Sequence, residues 1–144
     1  MRSRSNLLRK FLRLSSQERA LLLRTVLLMV AVRLGLWLLP FPRVLTLTRL
    51  IRHRSTQAGY WRARQISWAV HVVGRRVPSA SCLVQALTAK LLLERVGIPS
   101  RLHIGVAKAK SGRFEAHAWL ESLGELVTGG NGGEQYSPLM VWDN

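Results

Sequence analysis

Residues 79–121 read SASCLVQALTAKLLLERVGIPSRLHIGVAKAKSGRFEAHAWLE, and a change of period inside them decides the fold. From Ser81 or Cys82 to about Val96, Leu83, Ala86, Leu87, Leu91 and Leu93 recur at helical spacing, with Lys90 and Glu94 on a polar side. Gly97 supplies a helix stop and Pro99 confirms the break. Beyond it the period falls to two. Leu102, Ile104 and Val106 alternate with Arg101, His103 and Gly105. A polar turn at 110–113 leads into Phe114–Glu121. There Phe114, Ala116, Ala118 and Leu120 face one way, and Glu115, His117, Trp119 and Glu121 the other. Leu123-Gly124 turns into Glu125–Thr128, a glycine-rich loop covers 129–134, and YSPLMVW at 136–142 reads as a last strand. One central helix followed by an antiparallel meander is the expectation.

Upstream, the chain reads as helices. Ser15-Ser16-Gln17-Glu18 is a capping box, in which Ser15 accepts from the amide three residues on and Glu18 reaches back. The helix it opens runs to about Leu39, ahead of Pro40 and Pro42. It is apolar on more than one face, so burial by other helices is expected. Arg24 and Arg33 interrupt it. Each costs about 2.5–3.5 kcal/mol at the centre of a spanning helix, so a core-packed or interfacial helix is expected over a spanning one. Val44–Arg54 reads as a second helix with a basic side, residues 55–59 as a linker, and Tyr60–Arg76 as a third helix. Residues 1–14 alternate arginine and leucine and read as a frayed basic terminus. The fold class is α+β: a basic, leucine-rich helical region over 1–76 and a core over 77–144, together one compact domain.

At 144 residues and 48% hydrophobic, the chain is sized for one folded domain. It carries 22 Lys and Arg against 7 Asp and Glu, a net charge of +15, which calls for an anionic partner. The basic residues are scattered and lack interleaved aromatics on a known nucleic-acid fold, so nucleic acid is the weaker partner class. An acidic peptide, a partner enzyme, or peripheral contact with acidic lipid fits better. One cysteine excludes an internal disulfide and fits the cytoplasm. No cleavable signal peptide is read at the N-terminus. No phosphate-binding glycine motif is present. A metal site is not expected, because Cys82 has no second cysteine and His53, His71 and His103 lack ligand spacing.

The chemistry rests on Cys82 and His117. A thiol in the first turn of a helix meets unpaired amides and the positive end of the helix dipole, which favour a thiolate. The same amides can hold the oxyanion of a tetrahedral intermediate. A strand-borne imidazole can take the thiol proton and return it to a leaving amine. Gln85, one turn after Cys82, can donate to the oxyanion or be an ordinary helix residue. Trp119 can wall the site or be plain core.

CLVQALTAKLLLERVGIPSRLHIGV, FEAHAWLE, GE and YSPL together resemble the transglutaminase-like cysteine peptidases of lasso-peptide maturation, the stand-alone leader peptidases of the microcin-processing type. The resemblance covers Val77–Leu139. It implies a transglutaminase/papain-like core, with Cys82 as nucleophile and His117 as general base and acid. It also implies a third residue that orients the imidazole. Such enzymes often carry an aspartate about twelve residues after the histidine, where this chain has Val127-Thr128-Gly129-Gly130. Glu121, Asn131 and Glu134 are then the candidates, or a backbone or water partner. The implied function is removal of the leader from a ribosomal precursor before macrolactam closure. The implied partners are the precursor peptide, a leader-recognition protein and an asparagine-synthetase-like lasso cyclase. No cofactor is evident in the chain itself, although ATP dependence belongs to such maturation systems. Transglutaminase-like acyl or amide transfer is the alternative enzyme, and a basic membrane- or nucleic-acid-associated module with an inert cysteine is the non-enzymatic one.

Overall fold

The fold comes from a computed structural model, which describes residues 13–49, 59–109, 111–130 and 136–143. In chain order these form α1 (Ser16–Leu38), α2 (Phe41–Arg49), α3 (Tyr60–Gly74), α4 (Cys82–Arg95), β1 (Arg101–Lys108), β2 (Phe114–Ser122), β3 (Glu125–Thr128) and β4 (Ser137–Trp142). The fold is α+β, with the helices ahead of one antiparallel sheet. Residues 1–12, the end of the expected second helix, His53, Asn131 and Glu134 lie outside the described residues.

The capping box forms as read. Glu18 N donates to Ser15 Oγ at 3.2 Å, and Ser15 N to Glu18 Oε2 at 2.8 Å. Those bonds hold the Glu18 carboxyl below the usual carboxylate range, the Ser15 backbone bond first. The cap therefore supports α1 at neutral pH, and its contribution is lost as pH falls through Glu18's depressed value. Ser15→Ala should lower stability by about 1 kcal/mol in denaturant titrations at neutral pH.

Pro42 does not stop a helix; α2 starts at Phe41 and takes Pro42 into its first turn. A first-turn residue has no intrahelical partner for its N–H, so proline costs nothing there. At the end of α4 a full Schellman closure forms. Ile98 N reaches Leu93 O at 3.0 Å and Gly97 N reaches Glu94 O at 3.0 Å, with Gly97 at φ 71.

The strand order is β3-β2-β1-β4. β1, β2 and β3 form the expected meander, but β4 returns to the far edge and pairs with β1. In the β1–β2 ladder Leu102 faces Leu120, Ile104 faces Ala118, and Gly105 faces His117.

α4 is the centre of the core. Val84 and every residue from Ala86 to Glu94 are buried, beneath α1 and α3 and against β1, β2 and β3. The expected polar side of α4 therefore does not reach water. Lys90 and Glu94 lie inside and pair across one turn at 3.0 Å, while Lys90 Nζ also donates to Ser100 O at 3.5 Å. Thr88 satisfies its buried hydroxyl on Val84 O at 2.7 Å.

α1 departs from its expected burial. Leu22, Thr25, Met29 and Val32 are buried on its inner face. Leu28 is partly buried beside them, whereas Leu23, Val26, Leu27 and Val30 are exposed, because among the described residues only one side of the helix has neighbours. α3 is tied to the sheet: Ser67 Oγ donates to Val127 O at 2.6 Å, and Tyr60 donates to Glu125, a bond that holds the phenol's proton more firmly than usual.

Candidate active site

Cys82 is the first residue of α4 and is half-buried. Ser81 caps the helix: its extended backbone starts the turn, and its Oγ accepts from Val84 N at 3.4 Å. Its carbonyl takes Gln85 N at 3.0 Å. The amides of Cys82 and Leu83 are then the first-turn donors with no partner within the helix.

Several bonds fix the loop that delivers this cysteine. Arg33 on α1 donates to Ser79 O at 2.7 Å, and Gln85 Nε2 donates to Ala80 O at 2.8 Å. Gln85 also fills the space beside Gly74, where a Cβ would lie 2.7 Å from its Cδ. Gln85 is thus neither a freely exposed helix residue nor a donor left entirely free for substrate; it staples the loop to its helix. Ser79 sits at φ 57, a conformation that costs a non-glycine residue about 1–2 kcal/mol. Its neighbours hold it there. Arg33→Ala should therefore lower stability by about 1–2 kcal/mol in thermal denaturation, and Ser79→Gly should return part of the loss.

His117 lies on β2, the strand against which α4 packs. Its Nε2 is 2.6 Å from the carbonyl oxygen of Gly129. A carbonyl only accepts, so Nε2 carries a proton, and in the neutral ring the lone pair falls on Nδ1. Gly129 follows His117 by 12 residues, the offset at which the resemblance sets an aspartate. Here the main chain stands in that place. A side chain could not. Gly129 has φ 107, and a Cβ on it would lie 2.4 Å from Trp119 Cβ and 2.8 Å from Trp119 Cα.

Glu121 goes elsewhere. Its Oε2 lies 3.2 Å from Nε2 of His103, close enough for an ion pair but off the ring N–H axis. It does not meet His117. Trp119 is buried and stacks on both histidines: its ring is 5.0 Å from His103, nearly parallel, and 6.3 Å from His117. Tyr136, from the segment leading into β4, also stacks on His117, at 5.0 Å. The middle of the β2 face that carries Glu115, His117, Trp119 and Glu121 is therefore an aromatic row. Gly105 makes room for it, since a Cβ there would lie 3.1 Å from Trp119 and 2.9 Å from Tyr136 Cβ. Tyr136 escaped the sequence reading because loop length does not reveal where a segment returns.

No hydrogen bond joins Cys82 to His117 among the described residues. Nucleophile and base are commonly looser before substrate binds. No group of three metal-ligating side chains occurs among the described residues.

A helix-borne cysteine and a strand-borne histidine thus stand on an α+β fold with one antiparallel sheet. Residues 26–141 match the transglutaminase-like superfamily, and the chain belongs to it. No curated protein and no solved structure gives a significant match. Membership of a superfamily that generally holds Cys-His(-Asp) enzymes supports cysteine-peptidase or acyl-transfer chemistry in general. The matched region begins inside α1 and runs to β4, so helices and sheet both belong to it.

Proposed function

We propose that the chain is a cysteine peptidase that removes the leader from a ribosomally made lasso-peptide precursor. The observation that carries the reading is the bond from His117 Nε2 to the Gly129 carbonyl, which orients the ring and leaves Nδ1 as the base. Cys82 Sγ attacks the carbonyl of the bond between leader and core, while His117 takes the thiol proton. The amides at the start of α4 receive the oxyanion. His117 returns the proton to the leaving amine, which is the new N-terminus of the core. Water then hydrolyses the thioester, giving the leader carboxylate and free Cys82.

The partners of this reading are the precursor, a leader-recognition protein and an asparagine-synthetase-like cyclase that uses the freed amine. ATP dependence of the peptidase step, as attributed to such systems, is compatible with this reading, although the bond changes above consume none. A groove of about 540 Å³ between α1 and α3, lined in part by Arg24, Trp61, Arg62, Arg64 and Trp68, suits an acidic peptide carrying apolar side chains. The site of action is the cytoplasm.

The test is incubation of the chain with a lasso-peptide precursor and a leader-recognition protein, followed by mass spectrometry. Separate leader and core masses are expected. A leader joined to an added amine would instead mark acyl transfer. An intact precursor under all conditions overturns the reading.

A further inference from the structure

The outer face of α1 is apolar and uncovered. Leu23, Leu27, Val30, Leu34, Trp37 and Leu38 are exposed, Trp37 to 80% and Leu38 to 67%. Their spacing of three and four places them on one stripe along the helix. α1 is also long and apolar enough to cross a bilayer, yet its inner face is sealed in the core, with Thr25 and Met29 at 0% exposure. Arg33 on the same helix is bonded to Ser79. A spanning α1 would have to abandon those contacts, so its stripe can meet a membrane only while lying flat.

The charge beside the stripe selects the kind of membrane. Arg24 and Arg33 are exposed and fall at its two edges by helical spacing. The only acidic residue of α1, Glu18, is tied into the cap. The segment just before α1 adds Arg2, Arg4, Arg9, Lys10 and Arg13 in sequence, within a net charge of +15. An outward tryptophan and leucines bordered by arginines form the pattern of a helix held in the headgroup layer of anionic lipid.

We propose that the outer face of α1 seats this protein on an anionic bilayer surface, with the helix parallel to the membrane and the fold intact. The stripe supplies apolar insertion and the arginines supply lipid selectivity.

The experiment is flotation of the full chain with phosphatidylcholine vesicles, with or without about one-third phosphatidylglycerol. The wild type should float with the anionic vesicles, and less well in high salt. Leu27→Gln/Leu34→Gln/Trp37→Gln should reduce partitioning at least about 30-fold with an unchanged circular dichroism spectrum. Trp37→Gln alone, at a position with little packing to lose, should reduce it several-fold and covers the case where the triple variant misfolds. Arg24→Glu should reduce binding to the anionic vesicles at least about fivefold. Three results would overturn the proposal. One is no flotation of the wild type. A second is undiminished flotation of a folded triple variant, which would credit the basic segment alone. The third is a lipid-free dimer that the triple variant abolishes, which would give the stripe to a second copy. Flotation reads the same in Cys82→Ala, so the result is separate from the peptidase reading.

Discussion

Cys82→Ala should abolish leader release, a loss of at least about 10⁴-fold in kcat/KM. No other sulfhydryl exists in the chain to substitute for it. The residue opens α4, whose Val84 and Ala86–Glu94 are buried, so the core anchors the helix that carries it. His117→Ala should produce a loss of similar order. It should also slow iodoacetamide labelling of Cys82, because the imidazole can no longer take the thiol proton. Labelling reads the pair without any substrate, so it separates a failed pair from a wrongly chosen precursor. Full turnover by Cys82→Ala would end the peptidase reading, and labelling unaffected by His117→Ala would end the pairing.

The second large effect is expected from a single methyl group. Gly129→Ala places a Cβ 2.4 Å from Trp119 Cβ at φ 107, so the loop or the tryptophan must move. The backbone strain and the overlap together should lower stability by about 2–4 kcal/mol. The carbonyl that holds His117 Nε2 moves with the loop. A displacement of an ångström in a catalytic group costs on the order of 100-fold in rate, and the loss should fall on kcat with KM little changed. Gly130→Ala is the control. It also has positive φ, at 58, but nothing lies within 4 Å of its Cβ, so a smaller stability loss and near-normal kcat are expected. If folded Gly129→Ala keeps the wild-type kcat, the carbonyl does not orient the base. Gly129→Asp should fare no better than Gly129→Ala, because a carboxylate at this position brings the same Cβ.

The central helix and the hairpin were legible because their periods differ and their stops are glycine and proline. Ser81, Gly97 and Leu123-Gly124 sit where local chemistry demands them, and local chemistry is what a sequence displays. The residues alone leave the orienting partner of His117 open between side chains and main chain. A carbonyl has no residue identity to read, and Gly129 shows its role only when Trp119 is seen to occupy the space above it. Glu121 shares the face of His117, but the ladder sets it opposite Arg101 and diagonal to His103, whose ring it reaches. The burial of Lys90 and Glu94 could not be read from α4 alone, since a polar helix side looks the same facing water or facing its own counter-ion. The outward stripe of α1 was hidden for the opposite reason. A helix apolar all round gives no hint of which side finds neighbours.

The guanidinium of Arg33 reaches from α1 to the main chain of Ser79, three residues ahead of Cys82. The helix whose outer side is offered to lipid is thus bolted to the strap from which the nucleophile hangs. A single side chain thus joins the helix with the outward apolar stripe to the loop that delivers the thiol.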